Sequence, residues 1–433
     1  MPTRSAKYFE RAQRVLPGGV SRNTLLRTPH PRYVQSAAGC WVVDVDGNRV
    51  IDFANNMASL IHGHGHPAIV HAVSAQLQRG TAFAMATVAE IEFAELLCGR
   101  AEGFDKVRFM NSGTEAVMAG LKAARAYTGR ARIAKVEGTY HGAYDYAEVS
   151  QAPSPETWGE AHRPASVPNA QGTPEQVLEG VVVLPYNDAA AAVAVLDDHK
   201  DEIACVLLDP IPHRVGMVPV TSEFVQAIRE WTQRNGALLL FDEVITFRTE
   251  VGGMQYRLGV RPDLTAMGKI IGGGFPVGAL AGREDVMSVF RSVEGGPRLP
   301  HSGTFSANPI TMTAGRVALD LFDAPAVARL NRSGELAREG IKEAIAISGV
   351  PACVTGAGSM FRIHLKETEP TDYRSAFTTK EEKAVLSGFI DSMYESGVML
   401  VYSAAGMLST PMGQPELDRL SEAVLHSLRS LPR

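Results

Sequence analysis

Apolar positions along the chain fall into two textures. Near the start, Phe9, Ala12 and Leu16 recur at helical spacing, predicting an amphipathic helix that stops at Pro17-Gly18-Gly19, where the backbone can no longer continue a helical ladder. Trp41-Val42-Val43-Asp44-Val45 and Val50-Ile51-Asp52-Phe53 then flank Asp46-Gly47, the pattern of a β-hairpin. From about residue 65 the texture changes to continuous apolar runs separated by helical patterns, including 107–110, 181–184, 205–208 and 237–241. Runs of this kind predict strands buried on both faces, and so a mostly parallel α/β sheet. Residues 151–180 are rich in Pro, Ala, Gly, Ser and Gln and predict a long surface excursion, functional or mobile. Helical spacing returns over 309–322 and 325–347, followed by a strand candidate at 360–365 and helices near 379–396 and 415–429. The expected organisation is an N-terminal segment (1–60) that contributes to a small domain and to the active-site mouth, a large domain (61–315), and a C-terminal α+β small domain (316–433).

Composition narrows the function classes. At 433 residues, 45% hydrophobic and 21% charged, the chain has ample material for a buried core and does not read as disordered or fibrous. A net charge of −5 without a strongly basic block argues against nucleic acid as a partner. Residues 1–8 lack the apolar region of a secretory signal, and no stretch approaches the ~18 apolar residues of a membrane span, so a cytoplasmic location is expected. Cys40, Cys98, Cys205 and Cys353 are widely spaced and suggest neither a zinc ribbon nor a disulfide framework. The alternating histidines of His62-Gly63-His64-Gly65-His66 could ligate a metal from one strand face, but the glycines and Pro67 favour a turn without a metal.

The chemistry concentrates in three places. Leu239-Leu240-Phe241-Asp242 is an apolar strand ending on a carboxylate, at the edge where α/β sheets bind ligands. Lys269 stands in an apolar, glycine-rich stretch, and a desolvated lysine has a lowered pKa and attacks carbonyls. Alone, Asp242 could cap a loop and Lys269 could be an ordinary solvated lysine. Together they suit pyridoxal phosphate, whose aldehyde takes the amine while the carboxylate keeps the pyridine nitrogen protonated. In the third place, Phe109-Met110-Asn111-Ser112-Gly113-Thr114 runs from a strand into an Ala-rich helix whose free amides can hold a phosphate.

Asn111-Ser112-Gly113-Thr114-Glu115-Ala116, Gly138-Thr139-Tyr140-His141-Gly142, Phe241-Asp242-Glu243-Val244 and Gly268-Lys269, in that order, resemble class III pyridoxal-phosphate aminotransferases, and the resemblance spans nearly the whole chain. The stretch from Pro262 to Gly278 is most similar to the branch of glutamate-1-semialdehyde aminomutases and their relatives acting on β-phenylalanine. The resemblance implies a fold type I transferase and pyridoxal 5'-phosphate as cofactor. It also implies roles: Lys269 as the lysine that takes the aldehyde and moves the substrate proton, Asp242 as partner of the ring nitrogen, Ser112, Gly113 and Thr114 at the phosphate, Tyr140 and Val244 on the two ring faces, and His141 behind them. His301-Ser302-Gly303-Thr304 resembles the loop that reaches the neighbouring subunit's phosphate, so Thr304 and a homodimer with shared sites are implied.

Some positions depart from the family pattern. The usual Glu-Pro is Asp209-Pro210 here, and Arg214 takes the slot of an asparagine facing the cofactor's ring oxygen in aminomutase-type sequences. Ser403–Ser409 lacks their glutamate, and Ala405 stands where β-phenylalanine aminotransferases carry an arginine. Leu16-Pro17-Gly18-Gly19-Val20-Ser21-Arg22 resembles the latter enzymes, implying that Arg22 binds a substrate carboxylate; without the resemblance it fits a surface salt bridge equally well. The leading expectation is a ping-pong aminotransferase acting on a small-molecule amino donor and an oxo acid. Its rivals are an aminomutase or racemase using the same Lys269 and Asp242, and a cofactor-holding protein without turnover.

Overall fold

The computed structural model describes residues 3–431. Its centre is a seven-stranded sheet in the spatial order Lys106–Met110, Gly278–Gly282, Leu264–Gly268, Leu238–Asp242, Ile203–Leu208, Arg132–Val136, Val181–Leu184. All strands run parallel except Gly278–Gly282, which lies antiparallel between its two neighbours. The runs 181–184, 203–208, 238–242 and 264–268 are buried along their whole length, which is why they are apolar at successive positions.

Two strands break that pattern for identifiable reasons. Arg132–Val136 carries Lys135, fully buried, whose Nζ donates to the carbonyls of Thr139 (3.2 Å) and Val149 (2.7 Å). Gly278–Gly282 reads Gly-Ala-Leu-Ala-Gly because the chain before the Gly113–Thr128 helix passes so close that a Cβ on Gly278 would lie 2.0 Å from the Ser112 carbonyl oxygen. Ser112 itself caps that helix, accepting the Glu115 amide at 3.2 Å.

Both ends of the chain meet beside this sheet. Trp41–Asp44 and Arg49–Asp52 form the expected antiparallel hairpin, its turn closed by the Asp44 carboxylate, which accepts the amides of Asp46 and Asn48. Val398–Met399 extends it in parallel. A second sheet joins Cys353–Thr355, Met360–His364 and Ala405–Met407, and the Met407 amide donates to the Phe53 carbonyl at 2.7 Å. Phe53 packs edge-on against Phe361 with centroids 6.0 Å apart, in an apolar core that takes residues from Cys40 to Leu428. The buried Arg248 ties this region to the sheet, donating to Ser359 Oγ and to the Leu408 carbonyl.

Local departures from the sequence pattern have simple causes. The first helix runs Arg4–Gln13 and ends before Leu16, and the following turn places Gly18 and Gly19 at φ of +66° and +76°. The 151–180 excursion is fastened: Arg374 donates to the carbonyls of Trp158, Gly159 and Glu160 while its guanidinium grips Glu137. The three histidines take different partners, although the His62 and His66 rings lie 5.3 Å apart. His62 is buried against the Ala318 carbonyl, His64 donates to Asp52, and His66 precedes the Pro67–Leu77 helix. Cys40, Cys205 and Cys353 are buried, free thiols. No helix among the described residues is long and apolar enough to cross a membrane.

Candidate active site

The carboxyl edge of the sheet gathers residues from five strands: Ser112 after Met110, His141 after Val136, Asp209 after Leu208, Asp242 itself, and Lys269 after Gly268. They line one cavity of ≈ 630 Å³ together with Gly113, Thr114, Tyr140, Val244 and Arg22. A parallel sheet leaves its strand-end amides and side chains pointing into such a crevice. Lys269 opens a 3₁₀ turn with φ of +49°, a left-handed conformation that a lysine adopts only when the surrounding fold holds it there.

Asp242 is buried and held on both oxygens. Oδ2 accepts from His141 Nδ1 at 2.7 Å, Oδ1 accepts the Val244 amide at 3.0 Å, and His141 Nε2 meets the Thr139 hydroxyl at 2.8 Å. Burial pushes the His141 imidazole below its ordinary pKa, with Asp242 opposing, so a neutral ring positions the carboxylate. Burial also lowers the Lys269 ammonium, opposed by Asp242 and Asp209, which favours the nucleophilic free amine. Asp209 is pushed well above the usual carboxylate range, first by burial and then by Asp242. Its Oδ1 accepts the Ile211 amide at 2.9 Å.

Facing these groups is a wall built from distant parts of the chain. Arg22 is exposed at the mouth and donates from Nη1 to Asn56 Oδ1 at 2.9 Å. Asn55, Asn56, Met57 and Ala58 form one left-handed turn, with φ of +47°, +44°, +57° and +72°. Such a turn costs roughly 1–2 kcal/mol per non-glycine residue. Buried bonds offset it: Asn55 Nδ2 donates to the Met407 carbonyl (2.7 Å) and its amide to Asp52 Oδ1 (2.8 Å), while His64 steadies Asp52. Asn56 and Met57 line the cavity, and no motif marked them; the Asn-Asn pair, tolerant of this conformation, was the available signal. Arg214 lines an adjoining cavity of ≈ 390 Å³ that shares Arg22, Tyr140, Asp209 and Lys269 with the first. Thr304 is exposed and lies outside the residues lining either cavity, so a single chain does not bring it to the site.

The family model for class-III aminotransferases matches residues 26–410. The chain belongs to this family. It is 48% identical to an omega-transaminase from Sphaerobacter thermophilus whose structure superposes with a TM-score of 0.96, covering 99% of this chain and 97% of that one. A β-phenylalanine aminotransferase from Variovorax paradoxus is 34% identical, with a TM-score of 0.86 over 97% and 92% of the two chains. A glutamate-1-semialdehyde 2,1-aminomutase from Akkermansia muciniphila is 38% identical over 99% of each chain. This is therefore a class III enzyme with the pyridoxal-phosphate transferase fold, and pyridoxal phosphate is its cofactor.

The residues present fit that cofactor. The amide end of the Gly113–Thr128 helix opens into the larger cavity. A Cβ on Gly113 would lie 2.8 Å from both Val244 methyls, so only glycine lets the first turn of this helix close on the Val244 side chain. A buried carboxylate, a desolvated lysine and an aromatic ring share the same space, the donor set a protonated pyridine aldehyde requires.

Proposed function

We propose that this enzyme is an aminotransferase that moves an amino group between a carboxylate-bearing amino donor, β-amino acids included, and an oxo acid by a ping-pong route. The observation that carries this reading is the pairing, in one cavity, of Lys269 and Asp242 with the guanidinium of Arg22 at the mouth. The segment Ser403–Ser409, buried beside the cavity, carries no carboxylate, which favours transfer over aminomutase or racemase chemistry.

When bound, pyridoxal phosphate supplies an aldehyde that accepts the amino nitrogen and a ring that takes up the electrons left by a departing proton. Lys269 would hold the cofactor at its aldehyde, and its amine would move the substrate proton at Nζ. Asp242, oriented by His141 and the Val244 amide, holds the proton on the ring nitrogen. Ser112, Gly113 and Thr114 bind the phosphate at the helix terminus, and Tyr140 and Val244 confine the ring from its two faces. Arg22 clamps the donor carboxylate through a planar, charge-assisted fork.

The enzyme works as a homodimer in the cytoplasm, with Thr304 serving the neighbouring subunit's phosphate. Phe83, Met85, Val88, Ile91 and Phe305 are large apolar side chains left exposed on the single chain, and Thr304 stands next to Phe305, which supports burial of this region by a second copy. Incubating a ¹⁵N-labelled amino donor with an unlabelled oxo acid tests the reaction: label should appear in the new amino acid. Label confined to the donor skeleton would instead identify an isomerase.

A further inference from the structure

Behind Asp242, the fully buried Thr139 hydroxyl stands between two partners with one hydrogen to give. The Val136 carbonyl oxygen lies 2.7 Å away and His141 Nε2 lies 2.8 Å away. On the far side of the ring, His141 Nδ1 is 2.7 Å from Asp242 Oδ2. A hydroxyl donates once and also accepts, so it can answer either state of an imidazole nitrogen. With the ring neutral and its hydrogen on Nδ1, Nδ1 donates to Asp242 and Nε2 accepts the Thr139 hydroxyl. With a second proton on the ring, Nε2 donates to the Thr139 oxygen and the hydroxyl turns its hydrogen to the Val136 carbonyl. Nδ1 keeps its hydrogen on Asp242 in both. The other neutral tautomer, with its hydrogen on Nε2, would set a ring lone pair against the ionised Asp242 oxygen at 2.7 Å.

This exchange requires a hydroxyl that stays in place, and the Thr139 backbone is fixed from three directions. Lys135 Nζ donates to the Thr139 carbonyl at 3.2 Å and to the Val149 carbonyl at 2.7 Å, closing both ends of the loop that bears Tyr140 and His141. The Gly138 amide donates to the Ser150 carbonyl at 2.8 Å. The Tyr373 ring covers Gly138, where φ is +74° and a Cβ would lie 2.0 Å from that ring. The charged groups facing the imidazole are Asp242 and Lys135. Glu137 and Arg214 face Lys135 in turn, while Asp209, Glu243 and Lys269 surround Asp242. Among the described residues, Thr139 is the hydrogen-bond partner of Nε2.

We propose that Thr139 is a positioning residue of the reaction: its hydroxyl selects the His141 tautomer that holds the Nδ1 hydrogen on Asp242, whether or not the ring carries a second proton. The proposal rests on the reading of Asp242 as partner of the cofactor's ring nitrogen, because a carboxylate held in one orientation keeps that contact constant. Thr139 lies outside the residues lining either cavity, so it meets no substrate. Its loss should therefore appear in kcat and in cofactor affinity, with KM for both substrates unchanged.

Proton NMR of the holoenzyme tests the tautomer without turnover. The wild type should give the strongly deshielded resonance of an imidazole–carboxylate hydrogen bond, assigned by its absence in His141→Asn, and acidification should shift that resonance without removing it. Thr139→Ser should keep it; Thr139→Val, which retains the branched shape without the hydroxyl, should lose it. Thr139→Val should also lower kcat ~10-fold and weaken cofactor binding to the apoenzyme, followed by fluorescence titration, ~10-fold, the size of about one net hydrogen bond. Thr139→Ser should recover most of both. An unchanged resonance in Thr139→Val would overturn the proposal, as would its disappearance from the wild type on acidification. Equal losses in Thr139→Ser and Thr139→Val, or a lowered Tm with kcat and cofactor affinity intact, would make Thr139 a structural residue and overturn it too. If Thr139→Val does not fold, Thr139→Ala carries the same comparison. The expected resonances alongside near-normal rates in Asp242→Asn would sink the ring-nitrogen reading and leave the tautomer assignment standing; a slow Asp242→Asn beside an unaltered Thr139→Val would do the reverse.

Discussion

The side of the site proposed to hold the cofactor and the side proposed to hold the substrate, which spans both adjoining cavities, are built in opposite ways. In the first, Ser112, Asp242 and Lys269 each stand at or just past the end of a sheet strand, and local bonds aim them: Ser112 caps its own helix, and Asp242 accepts the amide two residues on. In the second, Arg22, Asn56 and Arg214 come from an N-terminal segment, a left-handed turn and a loop held by the C-terminal region. Machinery common to a whole reaction class can be written into strand ends, whereas substrate choice is written into contacts between remote segments, which can change without disturbing the sheet.

Mutations should separate the two halves, beginning with the largest effect. Lys269→Ala should abolish turnover, and in the wild type borohydride reduction followed by peptide mapping should fix the cofactor to the Lys269 peptide; labelling of another lysine would break the assignment of the cofactor half. Asp242→Asn should fold normally but lose a factor on the order of a hundred or more in kcat with every donor alike, because a neutral amide no longer holds the ring proton. Single-turnover rates at matched cofactor loading measure this, and near-normal rates would remove Asp242 from the chemistry.

Arg22→Ala should act on the other half and selectively. KM for carboxylate-bearing amines should rise ~10- to 100-fold, with simple amines affected far less. An equal change for both kinds of donor would mean that Arg22 supports the mouth and does not recognise substrate.

The smallest effect concerns the support behind the cofactor half. Lys135 props the loop bearing Tyr140 and His141, and burial pulls its pKa from 10.5 to about 7, with Arg214 adding to the fall. The folded state therefore binds this proton less tightly than the unfolded chain. The resulting destabilisation is fully present below about pH 7 and is relieved as pH rises toward 10.5. In denaturant titrations the stability gap between Lys135→Met and wild type should move in the wild type's favour over that interval; a gap independent of pH would show that Lys135 stays charged in the fold.

Whereas the edge strand Lys106–Met110, interrupted by Arg108, is buried only at Phe109 and Met110, the strands at 205–208 and 237–241 were legible because burial on both faces demands unbroken apolar runs. The strands Arg132–Val136 and Gly278–Gly282 were not, since their composition answers to a carbonyl pair around Lys135 and to the close passage of the Ser112 carbonyl, both made by segments elsewhere. Asp242 and Lys269 could be picked out because each sits beside local apolar and glycine signals that limit its surroundings. Asn56 could not, because its role depends on a left-handed turn held by Met407.

By itself the sequence determined the sheet class and the chemistry offered at its carboxyl edge: these depend on periodicity, strand-end residues and turns, all set within a few positions of each other. Tertiary structure decided which charges face one another across the cavity. Among the described residues the Arg214 guanidinium makes no hydrogen bond, while its loop is held by Ser403, Arg362 and His364 from more than a hundred residues away, and Arg22 at the mouth donates to Asn56. Side-chain pairing at such separations is settled by packing, which no local pattern encodes.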